Sequence, residues 1–211
     1  MTVRLGLVDS GVSVRQTIYV HASLPDDALP DPLGHGTAVC EVIWHHAPHI
    51  ALYNAQVFDR RGVTTAREVA AAIDWLVAEK VDLINLSLGL AHDRSVLAAA
   101  CERAVAANII LIASSPAQGA AVYPSSYDGV IRATGDARCD RGEISFLDSG
   151  QADFGGCPRG INPLGAIRGA SMGAAHISGL VAGFLQGGGD RQQVREWLVS
   201  QAKYVHNECR T

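Results

Sequence analysis

The sequence predicts one α/β domain over residues 1–211, with a mostly parallel central sheet and helices on both faces. Three observations carry this. Short apolar runs of strand length alternate with stretches of helical periodicity along the chain. A length of 211 residues suits one domain, and 48% hydrophobic residues can fill a sizeable core. No repeat, low-complexity tract or linker-like segment breaks the alternation.

Residues 3–8 (VRLGLV) read as a first strand that runs into Asp9-Ser10-Gly11. Residues 21–33 are rich in Pro and Asp and read as a loop. A helix is expected from near Gly34, carrying Thr37, Ala38, Val39, Val42 and Ile43. Residues 50–57 form the next strand and Asp59-Arg60-Arg61-Gly62 a turn. Over residues 65–79, Val69, Ala72, Ile73, Leu76 and Val77 recur at helical spacing. A strand over 83–88 ends at Gly89, a helix spans 96–107, and residues 109–113 and 130–134 are strands. Residues 135–165 read as turns with short strands. Residues 170–185 are apolar nearly all round, as a buried helix would be, and 192–202 form a last helix.

Composition narrows the function. A net charge of −4, with charges scattered rather than blocked, offers no basic surface for nucleic acid or an anionic membrane. No run approaches the roughly 18 apolar residues of a membrane span. The N-terminus enters a strand without a charged leader, apolar stretch or cleavage site, so neither a signal peptide nor a prodomain is expected. The five cysteines are odd in number and form no CxxC pair. Thiols in a reducing cytoplasm are the simplest reading, with one disulfide, Cys139 to Cys157, left as the alternative.

Three residues stand out chemically, each beside a plainer reading. Asp9 closes an apolar strand. That suits a turn aspartate, and equally a carboxylate at the carboxyl end of a parallel strand, where ligand sites gather. His35 sits between Gly34 and Gly36 at a helix start, where close backbone approach is permitted. Ser171 precedes a buried helix, as an N-cap does, but helix N–H groups also suit a developing oxyanion. His45, His46 and His49 lack a Cys or carboxylate to complete a zinc set, so no metal is expected.

Taken together, LVDSG at Asp9, GHGTAV at His35 and GASMGAAHISG at Ser171 resemble the aspartate, histidine and serine motifs of subtilisin-like serine proteases, in that family's chain order. The segment from YNAQVFDRRG to INLSLG resembles the family's central strand–helix–strand unit, and YPSSYDGVI the stretch after its oxyanion region. The resemblance spans almost the whole chain. It implies a subtilisin-like three-layer fold and a Ser171 nucleophile with His35 as base and Asp9 as its orienting carboxylate. It also implies that Ser87-Leu88-Gly89 pairs with an extended polypeptide substrate. No cofactor is implied. Implied partners are a polypeptide, in particular one dedicated precursor subunit such as the leader-bearing subunit of a quinohemoprotein amine dehydrogenase. Binding without cleavage, or acyl transfer to an amine, are the alternatives.

The chain also departs from the family. Pro116 falls at or near the position of the family's oxyanion asparagine, and proline has no donor. Loss of one such donor costs about 100–1,000-fold in turnover. The Ser171 backbone N–H remains, with Gln118 as the preferred second donor and Ser115 or Ser114 as substitutes. Ala175 replaces the usual proline before His176, and Ile167 and Arg168 precede the serine motif where smaller or polar residues are common. His45-His46-Ala47-Pro48 follow the histidine helix directly, leaving no room for the calcium loop that many members insert.

Overall fold

The structure is a computed structural model and describes residues 2–13, 20–25, 30–161 and 167–206. Nine strands form one sheet: β1 (Arg4–Asp9), β2 (Val20–Leu24), β3 (Ala51–Gln56), β4 (Leu83–Leu86), β5 (Ile110–Ser114), β6 (Val130–Gly135), β7 (Ile144–Phe146), β8 (Phe154–Gly156) and β9 (Ala202–Val205). Five helices accompany them: α1 (His35–His46), α2 (Ala66–Ala78), α3 (Ser95–Ala106), α4 (Ala170–Gln186) and α5 (Val194–Ser200).

The strand order is β2-β3-β1-β4-β5-β6-β8-β7-β9, and only the β7–β8 pair is antiparallel. Side chains along each strand alternate between two cores. Leu5, Leu7, Leu52, Leu83 and Ile112 pack with α1, α4 and α5. Val8, Tyr53, Ile84, Leu86 and Leu111 pack with α2 and α3 on the other face. The result is the expected three-layer arrangement, and it follows from period-2 strands that are buried on both sides.

Most expected elements lie within a residue or two of their observed bounds. Two strands fall where none was expected. β2 occupies part of the segment read as a loop, pairing with β3 across a register shift at Val20 and Ala22. β9 begins at Ala202, the last residue of the segment read as a final helix, and pairs with β7 beyond it. Cys40, Cys101, Cys139 and Cys157 are buried free thiols, so the Cys139–Cys157 bridge is not formed. Cys209 lies outside the described residues. Among the described residues, no helix is long and apolar enough to cross a membrane.

Candidate active site

The sheet order sets where the site lies. After β1 the chain adds β2 and β3 on one side, then β4 on the other, so the end of β1 is a topological switch point. Asp9 is the last residue of β1 and is fully buried. Its Oδ1 accepts from the Ser10 backbone N–H at 2.7 Å, lies 3.2 Å from the Ser10 hydroxyl, and meets His35 Nδ1 at 2.7 Å. Its Oδ2 has no hydrogen-bond partner among the described residues. Because a carboxylate only accepts, Nδ1 carries the imidazole proton and Nε2 keeps its lone pair. Burial works against a charged His35, but the Asp9 hydrogen bond and the charges of Asp9 and Asp31 outweigh it, raising its pKa above 6.5.

His35 is the first residue of α1, whose N-cap is Gly34 in the left-handed region at φ 73°. Gly34 has no side chain to cap the helix, so neighbours do so. Ser10 Oγ accepts from the Gly36 N–H at 3.0 Å, and Asp31 Oδ2 accepts from the Thr37 N–H at 2.8 Å. Gly36 is required by space: a Cβ there would sit 2.2 Å from the Gly11 carbonyl oxygen. Asp31 was not singled out in the sequence. Its signal was an Asp-Pro pair just ahead of a Gly-flanked histidine at a helix start, where a capping acid belongs.

Ser171 is the second residue of α4, inside the helix rather than at its cap, which is Gly169. Its hydroxyl donates to the Ser87 carbonyl oxygen at 3.2 Å, and the Ser87 hydroxyl lies 3.3 Å from the Ser171 carbonyl oxygen. One further hydrogen bond ties β4 to α4, from Asn85 Nδ2 to Ser178 Oγ at 2.9 Å, and Ser87 Oγ donates to Asn85 Oδ1 at 2.9 Å within the strand segment. Ser87 also lines a cavity of about 250 Å³ with Asp9 and His35, walled by Leu33, Phe58 and Gly62. Ser87 thus borders the cavity that Asp9 and His35 line and is hydrogen-bonded to Ser171. Ala175 is buried within α4, and Arg168 is exposed ahead of it.

Of the segment expected to hold substrate, Ser87 and Leu88 are buried and Gly89 is exposed. The Leu88 carbonyl oxygen accepts from Ser114 Oγ at 3.3 Å, and Leu90 pairs with Tyr123 just beyond. The Ser115 hydroxyl donates to the Gln151 carbonyl oxygen at 2.6 Å and its N–H to the Ala133 carbonyl oxygen at 2.8 Å. Gln118 is exposed and lines a cavity of about 510 Å³ that also includes Thr134 and Gly135. That backbone packs on α4, where a Cβ at Gly173 would lie 2.0 Å from the Thr134 carbonyl oxygen.

Away from these residues, His46 Nε2 meets His176 Nδ1 at 2.7 Å, and His176 Nε2 lies 3.1 Å from the Arg159 carbonyl oxygen. Since a carbonyl only accepts, His176 donates from Nε2 and His46 from its own Nε2. The pair is thus a tie between α1 and α4. Among the described residues, no group of three or more His, Cys, Asp or Glu is placed to hold a metal ion.

The chain and its fold are similar to known proteins. The chain is 27% identical over 208 residues to Subtilisin DY of Bacillus licheniformis, covering 85% of this chain and 75% of that protein. It is 26% identical over 236 residues to Subtilisin E of Bacillus subtilis strain 168, covering 97% of this chain but only 61% of that protein. Among solved structures, an S41 psychrophilic protease superposes with a TM-score of 0.72 at 19% identity, covering 96% of this chain and 85% of the other. A cold-adapted subtilisin-like serine proteinase gives 0.71 at 19% identity, covering 97% and 86%. The family model of the subtilases matches residues 3–210, and the chain belongs to the subtilase family.

Proposed function

We propose that the chain is a single-domain serine endopeptidase in which Ser171 attacks a peptide carbonyl, His35 is the general base and Asp9 orients and charges the imidazole. The observation that supports this reading is the Asp9–His35 hydrogen bond at 2.7 Å beside a cavity that both line with Ser87, whose carbonyl oxygen accepts from the Ser171 hydroxyl. His35 Nε2 takes the Ser171 proton as Oγ attacks, then returns it to the leaving amine. The acyl-enzyme is released by water activated the same way. The Ser171 N–H, among the unpaired donors of the first turn of α4, faces the developing oxyanion. Gln118 is the proposed second donor, since the Ser115 hydroxyl and N–H are both engaged elsewhere.

An extended polypeptide lies along Ser87-Leu88-Gly89 in this reading, with the apolar walls of Leu33 and Phe58 beside the base. The finer proposal is a cytoplasmic processing enzyme that removes a leader peptide from one precursor, such as a quinohemoprotein amine dehydrogenase subunit. The four buried free thiols support a reducing compartment. Pro116 at the oxyanion loop supports a selective enzyme, and it also favours a second reading, peptide binding without cleavage. A fluorophosphonate probe separates the two. Stoichiometric labelling at Ser171, lost in His35→Ala, is the expected result, and an unlabelled Ser171 sinks the peptidase reading. Incubation with candidate precursors, read by mass spectrometry, then tests the substrate.

A further inference from the structure

Asp31 stands outside the three proposed catalytic residues, yet five hydrogen bonds converge on its carboxylate. Oδ1 accepts from Ser10 Oγ at 2.8 Å, Leu33 N–H at 3.0 Å and Gly34 N–H at 2.9 Å. Oδ2 accepts from Thr37 N–H at 2.8 Å and Thr37 Oγ1 at 2.7 Å. These donors hold its carboxyl below the usual aspartate pKa even though half-burial works the other way, so it is an anion at neutral pH. An anion here satisfies the first turn of α1 and the positive end of its dipole. His35 is the first residue of that turn.

The Ser10 hydroxyl lies between two carboxylates. It is 2.8 Å from Asp31 Oδ1 and 3.2 Å from Asp9 Oδ1, and it has one proton to give. The shorter contact takes it. The Ser10 oxygen meanwhile accepts from the Gly36 N–H, one residue beyond His35. Asp31 thus draws the Ser10 proton away from Asp9 while anchoring the backbone on which His35 is mounted.

We propose that Asp31 is a positioning residue, fixing the first turn of α1 and drawing off the Ser10 proton so that the full charge of Asp9 faces the His35 imidazole. The proposal rests on the triad reading above. Among the described residues, the charges that act on the imidazole are those of Asp9 and Asp31. Asp59 and Arg61 pair with each other on the turn near Gly62, beside exposed Arg60. Glu41 lies farther along α1, and Arg168 is exposed ahead of α4.

The test is the pH profile of kcat/KM on a cleaved peptide, with the pH dependence of fluorophosphonate labelling as a substrate-free counterpart. In Asp31→Asn the acid limb should move to lower pH by about half a unit or more, with kcat down roughly tenfold and KM held. Thr37→Val removes one donor and keeps the Asp31 charge. It should lower kcat severalfold with the acid limb in place, and it alone decides the matter if Asp31→Asn does not fold. An acid limb in folded Asp31→Asn that coincides with the parent, or parental kcat in Thr37→Val, overturns the proposal. Absence of labelling in the parent protein would instead defeat the triad reading, so the two failures are distinct.

Discussion

The Ser171 hydroxyl donates to the main-chain oxygen of Ser87 at 3.2 Å, and the Ser87 side chain reaches back to the main-chain oxygen of Ser171 at 3.3 Å. The proposed nucleophile therefore rests on the end of β4, and a turn about χ1 would free its hydroxyl from that oxygen. Such a rotation between staggered wells is cheap for a half-buried serine. Ser171→Ala loses one long hydrogen bond and the nucleophile together. Peptidase activity should drop by about 10⁶-fold, with thermal stability nearly unchanged. Activity assays beside thermal melts of the purified variant check both halves.

Asp9→Asn should be nearly as damaging while leaving the site's shape intact. The amide can present N–H to Nδ1 and turn the imidazole to the wrong tautomer, so kcat should fall by about 10⁴. In the parent, kcat/KM should rise with pH through a His35 pKa above 6.5, because only the neutral imidazole can accept the Ser171 proton. An acid limb centred below 6.5 would contradict that environment.

Two glycines hold the helices against the sheet at distances that admit no side chain. A Cβ on Gly36 meets the Gly11 carbonyl oxygen at 2.2 Å, and one on Gly173 meets the Thr134 carbonyl oxygen at 2.0 Å. The obstacles are backbone atoms, so helix or strand must shift. Gly36→Ala and Gly173→Ala should each cost about 2 kcal/mol or more of stability. Both should also lose activity beyond the loss of folded protein. Denaturant titration with active-site counting separates these effects.

The His46–His176 tie makes stability depend on acid. Burial lowers both groups from 6.5, His46 to about 3 with the charge of His176 adding to the effect, and His176 to about 4 against its Arg159 hydrogen bond. The unfolded chain takes up these protons near pH 6.5 while the folded protein does not. Stability present above that pH is therefore lost as pH falls through the window from about 6.5 to about 4 and then about 3. His35 acts in the opposite sense, since its raised pKa favours the folded state below 6.5. With two lowered groups against one raised, the midpoint in urea should be lower at pH 5 than at pH 7.5. His46→Gln keeps a donor toward His176 Nδ1 without titrating, so it should narrow that difference. An unchanged difference would remove the pair from the explanation.

The elements that sequence reading located are those whose partners lie on both faces. β1, β3, β4 and β5 are mostly apolar because two layers bury them, with Asn54 and Asn85 as buried exceptions, and α2 shows its buried stripe plus a Thr65–Glu68 capping box. β2 and β9 were hidden for the opposite reason. Each lies at a sheet edge with half-exposed residues, so neither carries a strong apolar run. At the site, Asp9, His35 and Ser171 stand out in the sequence through their motifs, and the structure places Asp9 against His35 and Ser171 against Ser87. Ser10 and Asp31 were not, because their role depends on a meeting across 21 residues within a segment that reads as loop. The engaged Ser115 hydroxyl is likewise a tertiary fact, set by the approach of Gln151.

β1 lies inside the sheet, between β3 and β4, although it precedes both in sequence. During synthesis it therefore waits for residue 86 before both edges are covered, and parallel strands of this kind are slow to pair. Asp9 and His35 emerge early and can meet across 26 residues, whereas Ser171 follows 136 residues after His35. A nascent chain halted before α4 carries the proposed base and carboxylate with nothing to activate. On the ribosome, cutting power would arrive late, after the sheet that must hold it has largely been made.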